Sequence, residues 1–141
     1  MSKKVLIVGG VAGGASVAAR VRRLDEKADI TMFEKGPHVS FSNCALPFFL
    51  SRTVANSQNL VLMSPAQFEK QYNIKAKVNS EVVKILPQEH KIVVKDVLSG
   101  KTHEEVYDSL VLSPGAKPIL PNSIVGIHSE NVFTVRNVID I

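Results

Sequence analysis

Gly9-Gly10-Val11-Ala12-Gly13-Gly14, four glycines in six residues near the start of a 141-residue chain, limits the possible folds more than any other feature. Before it comes Val5-Leu6-Ile7-Val8, apolar and β-branched at three of four positions, the pattern of a strand buried on both faces. After it the period becomes helical. From Ala15 to Lys27, Val17, Val21 and Leu24 recur at i, i+4 and i+7 and predict one apolar face. Asp29 to Glu34 then reads as a second strand. Strand, glycine turn, helix and strand within about 30 residues make a βαβ unit with a right-handed crossover.

A glycine turn in that place fits a phosphate-binding, Rossmann-like fingerprint. The first glycine permits the tight turn and the last permits close helix-to-sheet packing. Backbone N–H groups at the helix N-terminus then face a pyrophosphate. Val11 stands where G-x-G-x-x-G has its middle glycine, so Gly10 or Ala12 must supply the room. Glu34 ends the second strand 20 residues after Gly14, placed to accept hydrogen bonds from ribose hydroxyls. The plainer alternative is a structural turn beside an exposed glutamate.

Further on, Gly36 to Asn43 reads as a loop, Ala45 to Leu50 as a short helix, and Arg52 to Leu60 as irregular. Ser64 and Pro65 predict the N-cap and first position of a helix over Ala66 to Tyr72, with Asn73 at its end. Ile74–Val78, Glu81–Leu86, Lys91–Val97 and Thr102–Tyr107 predict an antiparallel meander. Ser109-Leu110-Val111-Leu112 is a further buried strand, ending at Ser113-Pro114-Gly115. The tail has no turn or cap after Asp140, which suggests a cut chain.

Cys44 is the single cysteine, so no internal disulfide or cysteine-based zinc site can form, and a reducing, cytoplasmic setting is expected. Lys3 and Lys4 ahead of the uncharged stretch Val5 to Ala19 imitate a secretory leader. The glycines interrupt that stretch, and it runs directly into a periodic helix. A lone cysteine is most often a small buried hydrophobe. Against that, Asn43 is placed to cap a helix with Cys44 in its first turn, where the dipole favours a thiolate. The segment also follows the dinucleotide turn, on the carboxyl side of the strands. One cysteine must use an external redox partner, through a mixed disulfide, a persulfide or a sulfenic acid.

Gly9 to Ser16, Arg22-Arg23-Leu24-Asp25, Phe33-Glu34-Lys35, Ser40-Phe41-Ser42-Asn43-Cys44-Ala45-Leu46-Pro47 and Leu112 to Ala116 together resemble the start of coenzyme A disulfide reductases. These are single-cysteine flavoproteins of the pyridine nucleotide–disulfide oxidoreductase family. The resemblance implies FAD held at Gly9, Gly10, Val11, Ala12, Gly13 and Gly14, by Glu34 and Lys35, by Val82 at the adenine, and by Ser113, Pro114 and Gly115. It implies Cys44 as the nucleophile, alternating between a thiolate and a disulfide with coenzyme A. Ser16, Arg20, Arg23, Ser40 and Asn43 match coenzyme A-binding positions. Helical spacing adds that Ser16, Arg20 and Arg23 lie at i, i+4 and i+7 on one polar stripe, where two arginines can hold phosphates. The alternative there is an ordinary solvated face.

The fold expected is therefore α/β: an FAD/NAD(P)-binding Rossmann-like domain with a parallel sheet, helices and a β-meander. Residues 1–141 would be a truncated N-terminal FAD-binding domain. Relatives of this kind add an NAD(P)H-binding domain and a dimerisation domain, both absent from this sequence, so the piece alone is expected to be inactive and the longer protein a homodimer. An NADH oxidase, NADH peroxidase or persulfide reductase of the same family is a close alternative. A non-catalytic nucleotide-binding module with a buried Cys44 is a more distant one. Lys+Arg 17 against Asp+Glu 13 suits small polyanions and is too small an excess to argue for nucleic acid by itself, and no nucleic-acid partner is expected. No membrane partner is expected. His38, His90, His103 and His128 lack metal-ligand spacing.

Overall fold

The computed structural model describes residues 2–141. In chain order the elements are β1 (Lys4–Val8), α1 (Ala12–Leu24), β2 (Asp29–Phe33), α2 (Leu46–Leu50), α3 (Pro65–Tyr72), β3 (Ile74–Lys77), β4 (Ser80–Leu86), β5 (Lys91–Asp96), β6 (Thr102–Val106) and β7 (Ser109–Leu112). A four-stranded parallel sheet has the order β3-β2-β1-β7, and β4-β5-β6 form a three-stranded antiparallel sheet. The mixed α/β architecture is the one expected.

Alternation along the strands explains the continuous apolar run of β1. Val5 and Ile7 join Ile30 and Met32 of β2, Ala18 of α1 and Phe68 of α3 in one core. Leu6 and Phe33 point to the opposite face and pack with Ile92 and Val94 of β5. Successive strand side chains take opposite faces, so a strand covered by helices on one side and a second sheet on the other needs apolar residues throughout. Polar contacts also join the layers. Glu105 of β6 accepts from Lys4 of β1 and from Lys77 of β3, each at 2.9 Å. Burial pushes the Glu105 carboxyl up, but hydrogen bonds and charge from the two ammonium groups outweigh it and hold the group at about 2.

Several expectations need correction. α1 begins at Ala12 rather than Ala15, because the last two glycines form its first turn, and it ends at Leu24 rather than Lys27. Leu24 is 69% exposed and is not part of the apolar face. The end of α1 is fastened instead by Arg22, which donates to the carbonyl oxygens of Tyr72 (2.8 Å) and Asn73 (2.7 Å) at the end of α3. Ile74 to Lys77 does not belong to the meander. It pairs parallel with β2 as the edge of the main sheet, with Ile74 fully buried in the helix-side core. The stretch expected to be irregular contains a 3-10 turn, Ser57–Leu60, capped by the Asn56 side chain. The tail carries a 3-10 turn, Val138–Asp140, whose cap is Asn137. The start of α3 is as expected: Ser64 Oγ accepts from Gln67 N, and Gln67 Oε1 accepts from Ser64 N. No helix among the described residues is long and apolar enough to cross a membrane.

Candidate active site

The glycine turn is where β1, α1 and β7 meet. Gly9 has φ +94°, and a Cβ there would run into the carbonyl of Ser113. A Cβ on Gly14 would strike the Gly9 carbonyl. These two approaches bring the first turn of α1 over the end of β1, beside the exit of β7, where Ser113 N donates to Val8 O at 2.8 Å. Val11 occupies the cap position of α1 with no side-chain cap, and the first helical hydrogen bond is Ala15 N to Val11 O. The N–H groups of Ala12, Gly13 and Gly14 thus have no backbone acceptor, and no acidic residue lies in the first turn. Unpaired N–H groups at the positive end of a helix are suited to an anion.

A cleft of about 460 Å³ opens at this helix end. It is lined by Val11, Ala12, Gly13, Glu34, Lys35, Asn43, Ser113, Pro114 and Gly115, all positions read from the sequence. Val82 lies in a smaller adjoining pocket of about 150 Å³ with Gly9, Glu34, Lys35 and Pro114. Of the two residues expected to make room opposite Val11, Ala12 lines the cleft. Gly10 is closed in, since a Cβ on it would come within 2.6 Å of Val39. Glu34 spans the turn: Gly10 N donates to Oε2 and Gly36 N donates to Oε1, both at 2.9 Å. Each carboxylate oxygen keeps a lone pair for a further donor.

The far wall is formed by residues that the sequence reading did not pick out. Thr134, Arg136, Asn137 and Asp140 line the cleft. Arg136 Nε donates to Ala116 O at 3.1 Å, and Asp140 Oδ2 accepts from the N–H groups of Arg136 and Asn137 at 2.7 Å. The Asn137-x-x-Asp140 spacing, a capping-box pattern, was the available signal.

The cysteine segment is tied to the same turn. Ser40 N donates to Gly10 O at 2.9 Å, with Ser40 itself at φ +50°. Beyond it the chain pairs with residues 60–62: Phe41 bridges Val61, Ser42 N donates to Leu60 O, and Leu62 N donates to Ser40 O. A 3-10 turn, Asn43–Ala45, follows, so Asn43 is its first residue and not a helix cap. Ser42 takes the cap position, because its backbone is the last to be held extended against Leu60. Cys44 is exposed, which overturns the buried reading, and its Sγ lies 3.3 Å from Ser42 Oγ. Cys44 does not line the cleft, but its neighbour Asn43 does.

Ser16, Arg20 and Arg23 are exposed along α1 and do not line the cleft. Among the described residues the two arginine side chains make no hydrogen bond or ion pair, whereas Arg22 between them is committed to backbone carbonyls. No group of three or more metal-ligating side chains occurs among the described residues.

Comparison with known proteins extends this picture. The pyridine nucleotide-disulphide oxidoreductase family profile matches residues 3–140. A coenzyme A disulfide reductase of Staphylococcus epidermidis is 39% identical over 137 residues, covering 97% of this chain and 30% of that protein. The crystal structure of reduced Bacillus anthracis CoADR-RHD superimposes with a TM-score of 0.93 at 48% identity, over 99% of this chain and 25% of that one. An NAD-dependent persulfide reductase from A. fulgidus follows at TM-score 0.90 and 33% identity, over 97% of this chain and 25% of that one. The chain spans about 30% of the length of the curated relatives it matches.

Proposed function

The chain belongs to the pyridine nucleotide-disulphide oxidoreductase family, and on that premise we propose that residues 1–141 are the FAD-binding part of a coenzyme A disulfide reductase that uses Cys44. The observation that carries the reading is the hydrogen bond from Ser40 N to Gly10 O, which ties the cysteine segment to the glycine turn at 2.9 Å.

The residues present fit FAD. Three unpaired N–H groups and an acid-free first turn suit its pyrophosphate, and Glu34 suits the ribose. A cleft of about 460 Å³ falls within the ~300–1,000 Å³ usual for cofactor sites. Val82 and Pro114 line the adjoining pocket for the adenine end, and Ser113 and Gly115 line the main cleft. When bound, the flavin's chemistry is to carry an electron pair from a nicotinamide to a disulfide.

Cys44 supplies the sulfur. As a thiolate it attacks one sulfur of coenzyme A disulfide, forming Cys44–S–S–coenzyme A and releasing the other half as a thiolate. An electron pair delivered to that mixed disulfide then frees coenzyme A and restores the Cys44 thiolate. Arg20 and Arg23 hold the phosphates of coenzyme A, with Ser16, Ser40 and Asn43 completing its path. A second reading, reduction of coenzyme A persulfide at the same cysteine, is favoured by the likeness to the persulfide reductase. In the longer protein an NAD(P)H-binding domain supplies the electrons. We place the protein in the cytoplasm as a homodimer, without nucleic-acid or membrane partners.

Incubating the chain with coenzyme A disulfide and measuring intact mass tests this. One coenzyme A per chain, absent in Cys44→Ser, supports the reading. An unmodified chain overturns it; in separate incubations, a sulfenic acid formed with hydrogen peroxide points to an oxidase or peroxidase, and a Cys44 persulfide formed with coenzyme A persulfide, which releases coenzyme A thiolate, points to a persulfide reductase. The chain alone should not consume NADH.

A further inference from the structure

We infer that Ser42 is a positioning residue for Cys44: its hydroxyl donates a hydrogen bond to the sulfur in the thiolate form and increases the share of that form at neutral pH. The inference rests on the reading of Cys44 as the attacking sulfur. It is carried by how firmly Ser42 is held and by what its side chain does not do. Ser42 N donates to Leu60 O at 2.8 Å and Ser42 O accepts from Ala45 N at 3.1 Å, so the backbone is fixed on both sides. A serine at a cap position ordinarily uses its oxygen to accept from the backbone of the turn. Here it makes no such bond. Its oxygen lies instead 3.3 Å from Cys44 Sγ, the one side-chain partner it has among the described residues.

The protonation state decides the direction of that bond. A neutral thiol can donate to or accept from a hydroxyl. A thiolate can only accept, and a hydrogen bond to an ionised acceptor is about twice as strong as one between neutral groups. Ser42 therefore favours the charged form. The same bond stabilises Cys44 as the leaving sulfur when its mixed disulfide is cleaved. Because Cys44 is exposed, water competes for the sulfur and the effect sits at the modest end of the range.

The single thiol makes the test direct. Iodoacetamide alkylation of the chain is followed at pH 7 and at a pH high enough to ionise the thiol fully. In Ser42→Ala the rate at pH 7 should fall roughly three- to tenfold, the loss of one charge-assisted hydrogen bond at a wet site. Ser42→Thr, which keeps the hydroxyl, should stay within about twofold of the parent chain. At high pH all the chains should react alike. The proposal is overturned if Ser42→Ala matches the parent at pH 7, if Ser42→Thr is as slow as Ser42→Ala, or if the deficit persists at high pH. Should the alanine variant not fold, the shape-matched pair Ser42→Thr and Ser42→Val carries the same comparison. Failure of the coenzyme A reading shows separately, as no mixed disulfide with coenzyme A in the parent chain whatever the alkylation rates.

Discussion

Glu34 Oε2 accepts a hydrogen bond from Gly10 N at 2.9 Å, and this contact fixes the end of β2 against the glycine turn that follows β1. With the matching bond from Gly36 N to Oε1, one carboxylate closes two loops and stays at the rim of the cleft. Replacing Glu34 with Ala removes two charge-assisted bonds and should cost about 2 kcal/mol of folding stability, with FAD binding weakened further. Thermal unfolding and flavin fluorescence titration read the two effects. Stability within 0.5 kcal/mol of the parent would contradict the role assigned to the carboxylate.

Gly14 tolerates no side chain, because a Cβ there would strike the Gly9 carbonyl and lie about 3.2 Å from Ile7 Cγ2. Gly14→Ala should destabilise the fold by about 2–4 kcal/mol, since helix and strand must move apart. Chemical denaturation measures it. An unchanged midpoint would mean that the helix sits further from the strand than described.

Arg22 holds α1 to the end of α3 through the Tyr72 and Asn73 carbonyls and also donates to Glu26 O at 2.6 Å. Arg22→Ala should lose about 1–2 kcal/mol, and Arg23→Ala, which makes no such contacts, less than about 0.5. Arg23→Ala should instead weaken coenzyme A binding. The two variants therefore separate structural from ligand arginines when unfolding and coenzyme A binding are measured side by side.

The Lys4–Glu105–Lys77 cluster makes stability depend on acid. Folding lowers the Glu105 carboxyl from 4.5 to about 2, because the two ammonium groups outweigh its burial. Its contribution is therefore fully present above pH 4.5 and lost as the pH falls towards 2. Glu105→Gln should be less stable at pH 7 by on the order of 1 kcal/mol, given partial exposure of the pair. The gap should close as the pH approaches 2. A gap that stays constant from pH 7 to pH 2 would show that charge plays no part in it.

Much of the site was legible because its signals are local. The turn, Glu34 at a strand end and Ser64-Pro65 at a helix start each announce themselves within a few residues. The parallel pairing of Ile74–Lys77 was not legible: its β-branched and alternating pattern marks a strand but does not name the partner sheet. The wall formed by Arg136 and Asp140 was missed because Arg136 answers to Ala116, 20 residues away, and has no apolar period around it. Arg22 was hidden for a similar reason, its acceptors being backbone carbonyls 50 and 51 residues on. The i, i+4, i+7 pattern overreached at Leu24, where the helix end is secured by a guanidinium rather than by burial.

FAD bound in the glycine cleft should bring its flavin within reach of Cys44, whose neighbour Asn43 lines that cleft. Alkylation of Cys44 in the presence and absence of FAD tests it most directly. FAD should bind with saturable, single-site quenching of flavin fluorescence, and Cys44 should be alkylated several-fold more slowly once the site is full. A chain that takes up no FAD, or one in which bound FAD leaves the alkylation rate unchanged, would contradict it.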